Sequence, residues 1–174
     1  MKSEDTQRGR AALMGRAAMG ERLGGFIYGT IVVLSVVITG GKAYPSDPGH
    51  IAAFVAVTIV VFWLAHVYAH GLAHSVSHDE HLSFAELRRI AHRESSLLEA
   101  AVPSVAALLA GALGLISEGA AIWLALALGL VVLAAQGFLF ARAERLAWLG
   151  TLVVVALNLG FGVFLIALKI LVSH

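Results

Sequence analysis

The chain has no cysteine among its 174 residues. This absence excludes disulfide bonds, thiolate metal sites, iron–sulfur clusters and cysteine nucleophiles. Charged side chains are also scarce, at 13%, whereas hydrophobic residues make up 59% of the chain. A soluble protein of this composition would have to expose large apolar patches to water, so we expect lipid to be its solvent. The 12 basic and 11 acidic side chains leave a net charge of +1, which gives no reason to expect a nucleic-acid partner.

The apolar segments are long enough for five transmembrane helices, because about 20 apolar residues cross a bilayer. The expected spans are residues 24–41, 49–75, 97–116, 120–141 and 146–172. Before them lies a polar, basic leader, residues 1–22, so the single membrane domain covers residues 23–174. A histidine-rich connector, residues 76–96, precedes the third span and contains a short amphipathic helix with Ser83 and Glu86 placed as a capping box. The sequence therefore predicts an all-α integral membrane protein.

The basic residues are distributed unevenly between the two sides of this arrangement. With the N-terminus in the cytoplasm, ten of the 12 Lys and Arg residues are cytoplasmic, and only Lys42 and Lys169 lie outside. This asymmetry follows the positive-inside rule. We therefore predict a cytoplasmic N-terminus and an external C-terminus, and we expect the membrane to be a bacterial cytoplasmic membrane.

The second span ends in a histidine-rich segment, HVYAHGLAHSVSHDEH. Four histidines recur every four positions, and two carboxylates and another histidine follow them: His66, His70, His74, His78, Asp79, Glu80 and His81. On a helix, side chains four residues apart point the same way, so any adjacent pair of these histidines can bind one divalent metal. The alternative is a solvated helix end whose histidines only adjust the charge at the membrane interface.

Glu99 is a carboxylate within the third predicted span, where ionisable residues usually face the bundle interior or a water-filled path. Pro103 has no N–H and clashes with the carbonyl oxygen of Glu99, so we expect a hinge at this level. We predict a metal or proton site of His66, His70 and Glu99, with His74, His92 or Glu94 beside it. Alternatively, Glu99 forms a salt bridge with Arg93 or Arg88, or it is protonated and purely structural.

Other unusual residues lie within the predicted spans. Gln136 and Asn158 are expected in the polar core of the bundle, where an amide side chain can form an interhelical hydrogen bond. Gly25 and Gly29 form a GxxxG motif, which favours close packing of two helices or a dimer.

These observations predict a protein that handles a cation, by translocation or sensing of a divalent metal or a proton. The cation would enter from the cytoplasm along the ladder of His78, Asp79, Glu80 and His81. Zinc, iron, copper or nickel are the candidate metals, haem is a further alternative, and the protein can also work with no cofactor. An accessory subunit of a larger membrane complex is the main alternative function. An enzyme is not expected, because no nucleophile–base pair has a recognisable spacing, although a membrane-embedded metal enzyme stays an alternative. In each case we expect the partners to be the lipid bilayer and either further copies of this chain or a larger complex.

Two segments resemble the bacterial TMEM175 family of cation channels over about 30 residues. In RLGGFIYGTIVV, Arg22 and Phe26 match the family's R-x-x-x-F-S-D opening, and in FWLAHVYAHGL, Trp63 and His66 match its Trp-x-x-His pattern. The resemblance implies a multimeric cation pathway lined by the first helix. The family's Ser-Asp pair is replaced by Ile27 and Tyr28 here, and its six helices by five predicted spans. These departures put channel activity in question.

Overall fold

The computed structural model describes residues 2–78 and 83–172, which form six α-helices and no β-strand. The helices are α1 (Lys2–Ala43), α2 (Pro48–His78), α3 (Phe84–Arg93), α4 (Ser95–Ala112), α5 (Glu118–Ala143) and α6 (Trp148–Val172). Four stretches are long and apolar enough to cross a membrane: Met19–Ala43, Pro48–Ser75, Ser95–Ala112 and Glu118–Ala143. The all-α class is thereby confirmed for the described residues, and four of the helices could span a membrane by their length and composition. In α6 the described apolar stretch, Trp148–Phe164, is shorter, so the fifth span stays a prediction.

The five long helices alternate in direction along the bundle. Arg22 near the apolar start of α1 binds Glu99 in the first turns of α4, and Gly41 near the end of α1 lies against Ile122 near the start of α5. Helix α1 packs against α2, α4, α5 and α6, whereas α6 lies at the edge and packs mainly on α5. We call the end of the bundle that holds Arg22 the arginine end.

The core of the bundle is a set of aliphatic side chains from α1, α2, α4 and α5. The largest fully buried ones include Leu34, Ile51, Leu97, Leu108 and Leu133. Large apolar side chains also cover the outside, with Trp123 72% and Tyr68 68% exposed. Because a soluble monomer does not tolerate this much apolar surface, the exposed surface fits a bilayer.

Helices α1 and α4 approach each other closely at Gly25 and Gly29. A Cβ atom on Gly29 would lie 3.0 Å from the Cβ of Ala100 and 3.1 Å from the carbonyl oxygen of Leu97. A Cβ atom on Gly25 would lie 2.6 Å from the Ser96 hydroxyl. Both glycines of the GxxxG motif therefore pack against a helix of the same chain.

The third predicted span ends earlier than expected, at Ala112 rather than at residue 116. Gly114 adopts a left-handed conformation, with φ of 73°, and its N–H donates to the Gly111 carbonyl while that of Leu115 donates to Ala110. These two bonds are the Schellman motif, which glycine favours because it has no Cβ. A helix of 18 residues remains, about 27 Å long.

The remaining helix ends lie within three residues of the predicted span ends, except that α1 begins at Lys2, 22 residues before the predicted first span. Ser83 caps α3, and its hydroxyl accepts a hydrogen bond from the backbone N–H of Glu86, as predicted from the sequence. Helix α2 continues to His78, four turns beyond Trp63. The predicted leader, residues 1–22, is continuous with the first span, since α1 begins at Lys2.

Candidate functional site

A cavity of about 560 Å³ opens at the arginine end, between α1, α2 and α3. We call it the histidine cavity. Its walls carry three histidines, two carboxylates, one arginine and one tyrosine: His66, His70, His74, Glu21, Glu94, Arg93 and Tyr28. It is the place in the described chain where the predicted histidines meet acidic residues from other helices.

Helix α2 presents the three histidines on one face because they are spaced by four residues. The Nδ1 atom of His66 lies 2.9 Å from the Phe62 carbonyl oxygen, and that of His70 lies 3.1 Å from the His66 carbonyl oxygen. A carbonyl oxygen only accepts, so Nδ1 carries the proton in both rings and Nε2 is the acceptor when the ring is neutral. The Tyr28 ring packs on His66 at a centroid distance of 5.4 Å.

Two histidine–carboxylate pairs join α2 to the α3 region. Glu94, at the junction of α3 and α4, places Oε1 3.4 Å from His70 Nδ1, and its side chain is only 13% exposed. Glu86 places Oε1 3.5 Å from His74 Nε2. Glu86 is also bonded to the capping residue Ser83, whose hydroxyl donates to its other oxygen at 3.0 Å. The start and the end of α3 are therefore both held to the histidine face of α2.

The structure places Glu99 outside the lining of this cavity. Arg22 donates to both of its carboxylate oxygens, at 3.3 and 3.2 Å, and the Ser95 hydroxyl donates to it at 3.0 Å. The predicted grouping of His66, His70 and Glu99 is thus not brought together, and Glu94 faces the histidines instead. Glu99 does form a salt bridge, which was the alternative prediction, but its partner is Arg22 rather than Arg93 or Arg88.

The sequence analysis did not identify Glu21 and Arg22 of α1 as site residues. Glu21 lines the cavity and pairs with Arg93 at 3.4 Å. The available signal was the adjacent pair Glu21–Arg22 just before the first apolar run, because charges at the edge of a span need partners from neighbouring helices.

Other predicted site residues lie elsewhere or are not described. His92 lines a different cavity, together with Trp63, and α4 runs through Pro103 as a continuous helix. Asp79, Glu80 and His81 of the predicted entry ladder lie outside the described residues, as does the side chain of His78. Among the side chains that the structure describes, no three His, Asp or Glu residues are grouped closely enough to hold a metal ion.

The two amides predicted for the bundle core lie near each other on α5 and α6. Asn158 donates from Nδ2 to the Leu133 carbonyl oxygen at 3.4 Å. Gln136 is buried, and its Oε1 has no hydrogen-bond partner. The described chain has four buried polar residues, none of which is ionisable: Thr30, Ser96, Ser104 and Gln136.

A further polar cluster, which the sequence reading missed, lies at the opposite end of the bundle. Asp47 precedes α2, and its Oδ1 accepts from the His50 backbone N–H at 2.9 Å. Its Oδ2 lies 2.9 Å from His50 Nδ1, and the His50 ring stacks on Tyr44. The pKa of the Asp47 carboxyl is lowered, first by the backbone hydrogen bond from His50 and then by the bond from its side chain. The spacing Asp-x-x-His before an apolar helix was the available signal for this cap.

No model of a protein family matches the chain, and searches of the curated proteins and of the solved structures give no match either. The resemblance to the TMEM175 family therefore stays a prediction.

Proposed function

We propose that this protein spans the membrane five times with its N-terminus in the cytoplasm, and that it handles a cation in the histidine cavity. The cation that the geometry supports best is the proton. The observation that carries this proposal is the pairing of two cavity histidines with carboxylates of the α3 region, His70 with Glu94 and His74 with Glu86. The arginine end would then face the cytoplasm, in keeping with the positive-inside rule.

The chemistry of the pairs supports proton sensing. Histidine is the side chain that ordinarily gains its charge between about pH 8 and pH 5. Protonation of His70 and His74 would place a positive charge opposite Glu94 and Glu86 and strengthen the attachment of α3 to α2. Glu21 and Arg93 face the same cavity as an ion pair with each other, and Tyr28 lines it beside them. Deprotonation would loosen α3.

Sensing is better supported than translocation by a single chain. The buried polar residues of the described bundle carry no ionisable group, and a proton path needs such groups or water along its length. The same observation favours the second candidate function, an accessory subunit of a larger membrane complex. In that case, α3 would report the cytoplasmic pH to the partner.

A divalent metal is a weaker proposal than the proton. Zinc, iron, copper and nickel sites use three or more protein ligands. The described histidines meet carboxylates in pairs, and among the described residues no three His, Asp or Glu side chains are grouped closely enough to hold a metal ion. Metal content of the purified protein, with and without the His66→Ala/His70→Ala change, tests this proposal independently of pH.

The attachment of α3 to α2 can be followed through Trp63, whose Nε1 donates to the Ala91 carbonyl oxygen at 3.1 Å. Trp123→Phe and Trp148→Phe leave Trp63 as the single tryptophan, and both replaced rings are more than two-thirds exposed. We expect its emission to shift between about pH 5 and 8, and we expect His70→Gln/His74→Gln to remove the shift. His50→Gln, at the opposite end, is the matched control and should retain it.

A pH-independent emission spectrum from the Trp63-only protein would contradict the sensing proposal. Proton flux into vesicles that contain the protein would show translocation instead, and it should be sensitive to His70→Gln. The orientation is tested separately by single cysteines, since the chain has none of its own. Ser83→Cys should react only with permeant maleimides in intact cells, whereas Ser117→Cys should also react with impermeant ones.

A further inference from the structure

The two faces of α3 carry different chemistry. Glu86 and Glu94 mark the side that faces α2 and the histidines. Ala85, Arg88, Arg89 and His92 follow the i, i+3, i+4, i+7 spacing and share another face. This second face lines a separate cavity of about 600 Å³ with Trp63, Ala91 and Ser95, which we call the arginine cavity.

The arginines of this cavity lack the carboxylate partners that two other arginines of the same end have. Arg22 pairs with Glu99 and Arg93 with Glu21, whereas Arg88 and Arg89 form no ion pair with any residue that the structure describes. Both are exposed at the cavity, beside His92. Two adjacent guanidinium groups without a carboxylate favour an anion, and their planar donors match the oxygens of a phosphate.

An apolar groove lies on the outside of the bundle, one helical turn farther along α2 and α4 than the arginine cavity. It has a volume of about 330 Å³ and lies between α2 and α4, with Ile59, Val60, Leu98, Val102 and Ala106 in its walls.

Trp63 of the arginine cavity is one helical turn from Ile59 and Val60, and Ser95 is one turn from Leu98. On both helices the basic cavity and the apolar groove therefore share a face. A basic cavity beside an apolar groove matches the charged headgroup and the acyl chain of a phospholipid.

Two aromatic side chains lie beside the arginines. Trp63 is half-buried and donates to the Ala91 carbonyl oxygen, near the point where α3 ends and α4 begins, and a buried indole N–H usually has such a partner. Phe84, at the start of α3, is 83% exposed, so this amphipathic helix has an apolar residue available for insertion beside the arginines.

We propose that the arginine cavity and the adjoining groove bind one anionic phospholipid. Arg88, Arg89 and His92 would hold its phosphate, and one acyl chain would lie in the groove between α2 and α4. Basic pockets between helices on the cytoplasmic side of a membrane are suited to such headgroups. This site does not depend on the proton-sensing proposal, because it uses the opposite face of α3 and none of the cavity histidines.

Native mass spectrometry of the delipidated protein in detergent, titrated with phosphatidylglycerol and with phosphatidylcholine, tests the proposal. We expect phosphatidylglycerol to bind more tightly. Arg88→Gln/Arg89→Gln should weaken its binding roughly 30-fold, or about fivefold for each arginine. Arg142→Gln/Arg145→Gln removes the same charge from the same end of the bundle but lies outside the cavity, and it should leave the affinity nearly unchanged.

Two further experiments distinguish binding of a phospholipid from binding of free phosphate. Ala106→Phe fills the groove from its exposed side and should weaken binding of phosphatidylglycerol while the arginines are intact. Inorganic phosphate at millimolar concentration should compete poorly, because it cannot use the groove.

The proposal is overturned if both lipids bind equally and the Arg88→Gln/Arg89→Gln protein retains phosphatidylglycerol. It is also overturned if inorganic phosphate binds as tightly as the lipid and Ala106→Phe has no effect, since the site would then serve a soluble anion. A loss of binding in every variant, the Arg142→Gln/Arg145→Gln control included, would likewise count against a defined site.

Discussion

Arg22 and Glu99, 77 residues apart in the chain, form a two-pronged ion pair between α1 and α4 at 3.2 and 3.3 Å. Both side chains are about half exposed, at 60% and 46%. Ser95 adds a third hydrogen bond to the same carboxylate. Glu99, which the sequence predicts to be a cation ligand, thus already has a cationic partner in Arg22. The contribution of this pair to stability and to the pH response can be measured separately.

We expect the Arg22–Glu99 pair to contribute to stability and not to the pH response. In a double-mutant cycle with Arg22→Gln and Glu99→Gln, the coupling free energy should be about 0.2–1 kcal/mol, as for other exposed pairs. Unfolding in mixed micelles measures it. The Trp63 emission of the Glu99→Gln protein should still shift with pH. Loss of that shift would instead support the original prediction that Glu99 is part of the cation site.

Gly29→Ala should destabilise the bundle by about 1–3 kcal/mol, because the added methyl group is overpacked. The new Cβ would meet backbone atoms of Leu97, which move only with the whole of α4. Gly160→Ala in α6 is the matched control, since a Cβ there meets nothing within 4 Å. Equal stability of the two variants, measured by the same unfolding titration, would show that α1 and α4 are not in close contact.

The buried amide of Gln136 and the half-buried amide of Asn158 should respond to substitution with opposite signs. Asn158→Ala removes the hydrogen bond to Leu133 and should lower the free energy of unfolding by about 0.6–2 kcal/mol. Gln136→Leu removes a buried oxygen that has no partner, and such an acceptor costs about 1–3 kcal/mol, so this variant should gain stability. A marked loss in Gln136→Leu would indicate that the amide binds a group in the folded protein, such as a water molecule.

The Asp47 cap predicts a loss of stability in acid. Because the pKa of Asp47 is lower in the folded protein than in the unfolded chain, its contribution is present above the unfolded pKa, about 3.9. It is lost as the pH falls through the folded value. The melting temperature in detergent should therefore fall more steeply below about pH 4 in the parent protein than in Asp47→Asn, which keeps an acceptor oxygen but cannot titrate. Parallel curves would contradict this account.

Hydropathy and capping patterns predict the elements of this fold well. The apolar runs locate α1, α2, α4 and α5, and the histidine spacing places three imidazoles on one face of α2. The predicted end of the third span was wrong because the backbone conformation of one glycine ends the helix earlier. The run through Leu115 and Ile116 is apolar enough to continue the third span, but Gly114 adopts the left-handed conformation and ends the helix.

The partners of the charged residues could not be predicted in the same way. A helix that is apolar on all sides carries no signal for its rotation about its own axis, because lipid and core attract the same side chains. That rotation decides whether Glu94 or Glu99 faces His70. Arg22 and Glu21 compound the difficulty, since they lie on α1 and reach α4 and α3 only after the bundle has assembled.

The position of α3 between the two cavities has a thermodynamic consequence. Helix α3 and its C-cap carry both the carboxylates that pair with the α2 histidines and the arginines of the proposed lipid site, so binding on one face would be energetically linked to binding on the other. If the bound lipid favours the attached position of α3, it must favour protonation of His70 and His74 by the same factor, and protons must tighten lipid binding equally. The composition of the inner leaflet would then set the pH at which this protein responds.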